Sequence, residues 1–387
     1  MLTPISNEPR DYSWGSTTLI AGLEGRPPTG APEAEIWYGD HPGCPSRTPD
    51  GRTLDVALAE AGRPPLPFLL KLLAAASSLS IQAHPTRDQA REGFAREEGA
   101  GVPRDAAERL YRDDNHKPEI IVALSERFRA LVGLRPLAET RRLLDALDAP
   151  SASGAVAEIR ERLGDADTGV DARSALRGTL AWALDEADAA IVADLTAALG
   201  RADSAEFSDE IAVLRAAAAD FPGDPGLIVA LLMNLVTLRR GEGLFAPAGV
   251  LHAYQSGLGV ELMAASDNVM RGGLTPKHVD VPELMRVLDV TPGPAPVVHP
   301  RAVGDGVVDY DTPVDDFALS CVSVAPGADA RLTLRGPAIA LCTRGEVVVS
   351  ASGHEVALRP GAAVHVADEG VIAVAGSGEI FLAQPGA

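Results

Sequence analysis

The chain has 387 residues, 46% hydrophobic and 23% charged, the balance of a soluble globular protein long enough for two or three cores. Lys and Arg number 34 against 54 Asp and Glu, a formal net charge of -20. A field of that sign repels phosphate backbones and anionic lipid, which argues against nucleic acid and membrane surfaces but leaves room for a small anion in a local basic pocket.

Aromatic residues are only 4% of the chain, so aliphatic and alanine packing has to fill the interior. Cys44, Cys321 and Cys342 are far apart and form no C-x-x-C pair, which fits a reducing compartment. Residues 1–16 lack the basic start and apolar stretch of a secretory leader. The longest apolar run, 227–238, is interrupted by Asn234 and falls short of the ~20 residues that span a bilayer. The expectation is a soluble cytoplasmic protein.

From the N-terminus, residues 1–125 alternate short apolar runs with Gly/Pro turns: APEAEIWYGDHPG, LPFLLKLL, SLSIQAHP and HKPEIIVAL read as strands. One helix is expected over 86–99. From 137 to 240 the segments ETRRLLDAL, AVAEIRERL, RSALRGTLAWAL, DAAIVADLTAAL, DEIAVLRAAAADF and LIVALLMNLVTL carry i, i+3, i+4 apolar spacing, a run of helices broken at 150–154 and 222–226. Strand character returns after Leu244 with LFAPAGVLHAYQSGLGVELMAAS. A Pro-rich link, 290–300, precedes a last set of short strands, from FALSCVSVA to GVIAVAGSGEIFLAQ, as expected of a closed or sandwiched antiparallel sheet.

The P-loop, the dinucleotide-binding glycine pattern, H-E-x-x-H and G-x-S-x-G are all absent from the sequence, which removes most support from ATP-dependent, dinucleotide-dependent and serine-hydrolase chemistry. Three polar clusters stand in apolar surroundings. In Ser80-Ile81-Gln82-Ala83-His84-Pro85 the polar residues are two apart and share one face of a strand. In Asn115-His116-Lys117-Pro118-Glu119 the same alternation turns Lys117 and Glu119 together and His116 away. His252 and Tyr254 share a face, with Glu261 nine residues after His252.

The first cluster alone reads sooner as a structural histidine at a strand end, and the other two are as readily a solvated turn and aromatic packing. Together they offer two imidazoles, a carboxylate and an amide oxygen, a donor set suited to a borderline divalent ion such as Zn2+. Lys71 interrupts the apolar PFLLKLL, and Arg271 follows Asp267 in AASDNVMRGGLTPKH. With Lys117 these cations could receive a phosphate.

At this point LPFLLKLLAAASSLSIQAHP, DDNHKPE, APAGVLHAY and VELMAASDNVMRGGLTPKHVDVPEL, with DYSWGS (11–16) and AEIWYGDHP (34–42), resemble the type I mannose-6-phosphate isomerases. The resemblance runs in order from 11 to about 290; the last ~90 residues share only general β character. It departs from the family pattern at Asp40, where a small residue is more usual. The resemblance implies a mainly β fold of two cupin-like β barrels (a bicupin) with an inserted helical domain. It divides the chain into a catalytic cupin in two parts (1–130 and 241–292), a helical domain (131–240) and a C-terminal cupin-like domain (293–387).

The resemblance further implies one zinc per chain held by Gln82, His84, Glu119 and His252, with Arg271 as the catalytic arginine. Lys71, Ser80, Lys117, Tyr254, Glu261 and Asp267 would line the sugar phosphate, with Trp14 and Glu35 near the mouth. The implied activity is reversible interconversion of D-mannose 6-phosphate and D-fructose 6-phosphate through a cis-enediolate, by a monomer whose only partner is a small sugar phosphate. Lys71 with Ser80 is the expected phosphate site, from charge and hydroxyl chemistry. Lys117, His116, Asp267 and Glu261 stay open as the proton-transferring group. The rival readings are a sugar-sensing bicupin without activity, and an Fe(II) oxygenase or another metal-dependent epimerase.

Overall fold

The computed structural model of the protein describes residues 1–165 and 169–386. Residues 166–168, in the expected helical block 131–240, and residue 387, at the end of the last expected unit, lie outside the described residues. Strand makes up about 32% and helix about 27% of the chain. The class is therefore mixed, not mainly β: the helices between 137 and 232 are too large a share of the chain to be a minor decoration.

Two antiparallel sheets organise the molecule. The first is built on the long strand His252–Ala264, which pairs with Phe68–Ala75, Gln82–Ala83, Glu119–Ala123 and Phe128–Leu134. Glu35–Tyr38 and Gly243–Ala246 extend it on either side. The second sheet is made of C-terminal strands around Ala338–Ala351 and Val371–Gln384. It also takes in the N-terminal strand Leu2–Ile5, which sequence order puts with the first β unit but which pairs with Ala363–Val366.

Between 137 and 232 helices form where the 3.6-residue apolar spacing predicts them, and several helix starts carry side-chain caps. Thr86 and Gln89 make a reciprocal capping box on Arg87–Gly99, Ser153 caps Gly154–Leu163, and Asp188 caps Ala189–Arg201. The last expected helix is shorter than its pattern. Helix Gly226–Leu232 stops at Met233, and Met233–Leu238 pairs with Phe128–Leu134 as a strand. The free edge of Phe128–Leu134 and the β-branched Val236 and Thr237 outweigh a helical spacing shared by both halves. Among the described residues no helix is long and apolar enough to cross a membrane.

The two sheets share one apolar core. Ile36, Leu70, Leu72, Ile120 and Leu262 of the first pack in the same cluster as Phe317, Leu319, Ile339, Leu341 and Phe381 of the second. The opposite face of the first sheet carries the polar clusters.

Candidate metal centre

The segment expected as a full strand, SLSIQAHP, contracts to the two residues Gln82–Ala83. Pro85 removes a ladder donor just beyond it, and Ile81 instead bonds the backbone of Gly272 and Gly273. The polar face survives this contraction. Gln82 Nε2 donates to Ser80 Oγ at 3.0 Å, which turns its carbonyl oxygen the other way. Gln82 also lies opposite His252 in register, so their side chains emerge on one face.

Glu119 opens its strand directly after Pro118. Lys117 shares its face as the alternation predicts, with Nζ donating to Glu119 Oε2 at 2.6 Å. The long strand solves a parity problem. His252 and Tyr254 are an odd number of residues from Glu261, and a regular strand would turn Glu261 to the opposite face. The ladder with Phe128–Leu134 skips one residue, pairing Ala130 with Tyr254 but Arg129 with Ser256. That bulge shifts the alternation by one, and His252, Tyr254 and Glu261 all face one cavity. Gly257 follows at φ +123°, where a Cβ would meet Phe128 and the Arg127 carbonyl, so only glycine fits the bend.

The donor set converges. One ligand atom each from His84, Glu119 and His252, all buried, lies within 4.8 Å of the others. His84 Nδ1 is 2.8 Å from the Asn268 carbonyl and His252 Nδ1 is 3.0 Å from that of Val250. A carbonyl only accepts, so both Nδ1 atoms carry the proton and both Nε2 atoms present lone pairs. Those lone pairs lie 3.3 Å and 2.9 Å from Glu119 oxygens. Two imidazole nitrogens and a carboxylate oxygen come together here beside the Lys117 ammonium, and backbone-anchored imidazoles with a buried carboxylate suit Zn2+.

The electrostatics agree. Burial, reinforced by Lys117, pushes the His84 imidazole down to about 3, which keeps it a neutral donor. Burial would raise the Glu119 carboxyl, but the Lys117 ammonium holds it well below the usual carboxylate range. Tyr254 donates to Glu119 Oε1 at 3.0 Å; burial and Glu119 push its phenol well above the ordinary value.

Gln82, Lys117, Glu119, His252 and Tyr254 line a small cavity of about 80 Å³ with Glu35, Lys71, Ser80 and Glu261. Lys71 lies 2.9 Å from Glu261 and 3.8 Å from Glu35, with its ammonium 5.0 Å from the centre of the Trp37 ring. Burial disfavours that charge, but Glu261 and Glu35 reverse the effect and raise the Lys71 pKa. Burial raises the Glu261 carboxyl even with Lys71 beside it.

Five of the expected residues lie outside this lining: the fully buried His84, and Trp14, His116, Asp267 and Arg271. Trp14 stacks on Tyr12, ring centres 5.7 Å apart. His116 turns away from Lys117, with Nε2 2.7 Å from Asp316 Oδ2. Asp267 sits half-exposed, 3.4 Å from His41, which holds its carboxyl low against burial. Arg271 stands opposite Gln82 in register, with a buried Nε that has no hydrogen-bond partner among the described residues. Burial, with Arg112 close by, lowers its pKa.

Sequence reasoning did not single out His41, Asn268, Arg112 or Lys277. His41, Asn268 and Lys277 stand inside the quoted GDHP, SDNV and LTPKH segments, but their partners are distant in the chain. Asn268 holds His84 through its carbonyl, while its side chain accepts from the Arg112 N–H and donates to the Asp113 and Asn115 carbonyls. Asp40, the departure from the family pattern, accepts the Leu66 N–H at 3.1 Å.

Comparison with known proteins agrees with this arrangement. Residues 2–137 match the family described as phosphomannose isomerase type I, catalytic domain. The chain is 36% identical to mannose-6-phosphate isomerase of Salmonella typhimurium over 97% of both chains, and 34% identical to the Escherichia coli enzyme over the same shares. A solved mannose 6-phosphate isomerase in a zinc-bound holo form superposes with a TM-score of 0.87 at 33% identity, covering 100% of each chain. The apo form from Salmonella typhimurium gives a TM-score of 0.88 at 33% identity over 100% of this chain and 99% of that one. On agreement of that extent over nearly the whole length, the chain belongs to the type I phosphomannose isomerase family of enzymes.

Proposed function

We propose that the protein interconverts D-mannose 6-phosphate and D-fructose 6-phosphate, with one zinc per chain held by His84, Glu119, His252 and the Gln82 carbonyl oxygen. The observation that carries this reading is the convergence of two Nε2 lone pairs and one carboxylate on a single point, in a chain 36% identical to a mannose-6-phosphate isomerase. We also read both sheets as cupin-like barrels, with the helices of 131–240 as a domain inserted between 1–130 and 241–292, and 293–387 as the second barrel.

The reaction removes a proton from C2 of the open-chain aldose, returns one to C1 and moves the hydroxyl proton between the two oxygens. Bound zinc supplies Lewis acidity toward the sugar oxygens. Arg271, opposite Gln82 and with an Nε that has no hydrogen-bond partner among the described residues, is suited to stabilise negative charge on the enediolate, since a guanidinium does not serve as a base. Among the four groups considered for the proton, Lys117 and Glu261 line the cavity and are the two within reach of a bound sugar. His116 is engaged by Asp316.

For the phosphate we favour Lys277 and Arg112 over Lys71 and Ser80. Lys71 is already neutralised by Glu261 and Glu35. Lys277 is lowered by burial and by Arg271 and Arg112, and among the described residues neither Lys277 nor Arg112 makes an ion pair. Mutually repelling cations gain most from a dianion. Lys277→Met is expected to raise KM for mannose 6-phosphate about tenfold or more, the scale of one charge-assisted contact, with a smaller change in kcat. An unchanged KM would return the phosphate to Lys71.

The primary test is a coupled assay of mannose 6-phosphate conversion before and after chelation, with zinc add-back. Activity lost to the chelator and restored by zinc supports the proposal. Protein loaded with zinc that leaves mannose 6-phosphate unchanged overturns it.

A further inference from the structure

The C-terminal part of the chain reaches toward the metal centre at one point. Asp316 stands between strands Val307–Tyr310 and Ala318–Val324 of the second sheet. Its neighbour Phe317 is anchored in the core shared by both sheets. Although it belongs to the C-terminal segment, its side chain is only 8% exposed and engages residues of the first part of the chain. Oδ1 accepts from Arg87 at 2.7 Å and Oδ2 lies 2.7 Å from His116 Nε2. Arg87 and His116 are themselves 2.7 Å apart.

The two residues it grips are placed symmetrically. Arg87 follows His84 by three residues, across Pro85 and the capped start of helix Arg87–Gly99. His116 precedes Glu119 by three residues, across Pro118. One carboxylate therefore ties together the two chain segments that supply His84 and Glu119. Both connections run through a proline, whose fixed φ leaves little slack to absorb a displacement.

We propose that Asp316 is a positioning residue of the metal centre, contributed by the C-terminal β unit and acting through Arg87 and His116 to fix the spacing of His84 and Glu119. The proposal rests on the reading that His84 and Glu119 are metal ligands. It gives the second sheet a part in metal binding and turns His116 from a proton-transfer candidate into a strut.

The test is zinc affinity of the full chain, measured by competition with a chromophoric chelator, together with the visible spectrum of the cobalt(II)-substituted protein. Asp316→Asn keeps the side-chain volume and removes the charge. It is expected to weaken zinc binding about tenfold, the lower end of what supporting groups around a metal contribute, and to alter the cobalt spectrum, with metal-free thermal stability little changed. Arg87→Met, at a side chain 44% exposed, should shift affinity in the same direction without threatening the fold, and serves if Asp316→Asn does not fold.

Glu119→Gln separates the two readings. If Glu119→Gln also leaves zinc binding unchanged, the ligand assignment is wrong. If Glu119→Gln abolishes it while Asp316→Asn and Arg87→Met bind zinc like the parent with the same cobalt spectrum, the positioning role is overturned.

Discussion

At the residue scale, the donor set was legible because strand alternation is a strong constraint: two-residue spacing grouped Gln82 with His84 and Lys117 with Glu119 before any pairing was known. The Asn268 carbonyl that fixes the His84 tautomer, and the Asp316 contact to His116, were not legible, because they join residues 184 and 200 positions apart. His365 is a third buried histidine and behaves differently. It is 3% exposed, its Nε2 has no partner among the described residues, and it sits opposite Thr3 and Ile339 in register. Burial, with Arg63 and the N-terminal amine nearby and only Asp368 opposing them, lowers it to about 4. The unfolded chain titrates near 6.5 and so binds more protons between those values. Stability must then fall as pH drops from about 6.5 to about 4, by up to about 3 kcal/mol. His365→Leu should abolish this part of the acid sensitivity. Chemical denaturation of both proteins from pH 7 to pH 4 checks it: parallel curves would mean that His365 is not the group responsible.

At the element scale, the helical spacing of 137–232 and the apolar runs of the strands were readable in sequence because local amphipathicity there agrees with the tertiary packing. Readability failed where a partner strand decided the outcome. MNLVTL continues a helical pattern but pairs with Phe128–Leu134, and the bulge near Gln255 lies in the ladder that joins Phe128–Leu134 to His252–Ala264, with Gly257 as its only local signal. Two helix glycines show how context reverses one substitution. Gly178 lies inside helix Gly169–Asp185 with open space where a Cβ would go, and Gly178→Ala should stabilise the protein by about 0.5–1 kcal/mol through backbone entropy. Gly93 lies inside helix Arg87–Gly99, where a Cβ would overlap the fully buried Tyr111 ring. Gly93→Ala should therefore destabilise by about 1–3 kcal/mol despite the same gain in propensity. Denaturant midpoints of the two variants check the opposite signs, and a shift of Gly93→Ala to higher stability would show that Tyr111 can move aside.

For the whole molecule, the Pro-rich stretch 290–300 reads in sequence as a linker between separate domains, yet the structure pins it. Val297–Val298 pairs with Gly243–Ala246 of the first sheet, and the Gly293 N–H donates to the Leu134 carbonyl. A strand's apolar face looks the same in sequence whether it will pack inside its own unit or against another, so the common core was not legible. Its consequences are. Removing 293–387 would uncover Ile36, Leu70, Leu72, Ile120 and Leu262 and strip strand Leu2–Ile5 of its partner. It would also delete the bonds Tyr38 Oη to the Gly361 carbonyl, at 2.7 Å, and Arg240 to Glu379, at 2.6 Å. Each large aliphatic side chain returned to water costs about 1.5–3 kcal/mol. Five such residues approach or exceed the ~5–15 kcal/mol that stabilises a typical domain. The fragment 1–292 is therefore expected to bind a hydrophobic dye, to unfold without a cooperative transition and to retain no zinc after gel filtration. Although every proposed ligand lies within it, a monodisperse, cooperatively unfolding 1–292 that keeps its zinc would instead make the two sheets independent units, with the C-terminal unit dispensable to the metal centre.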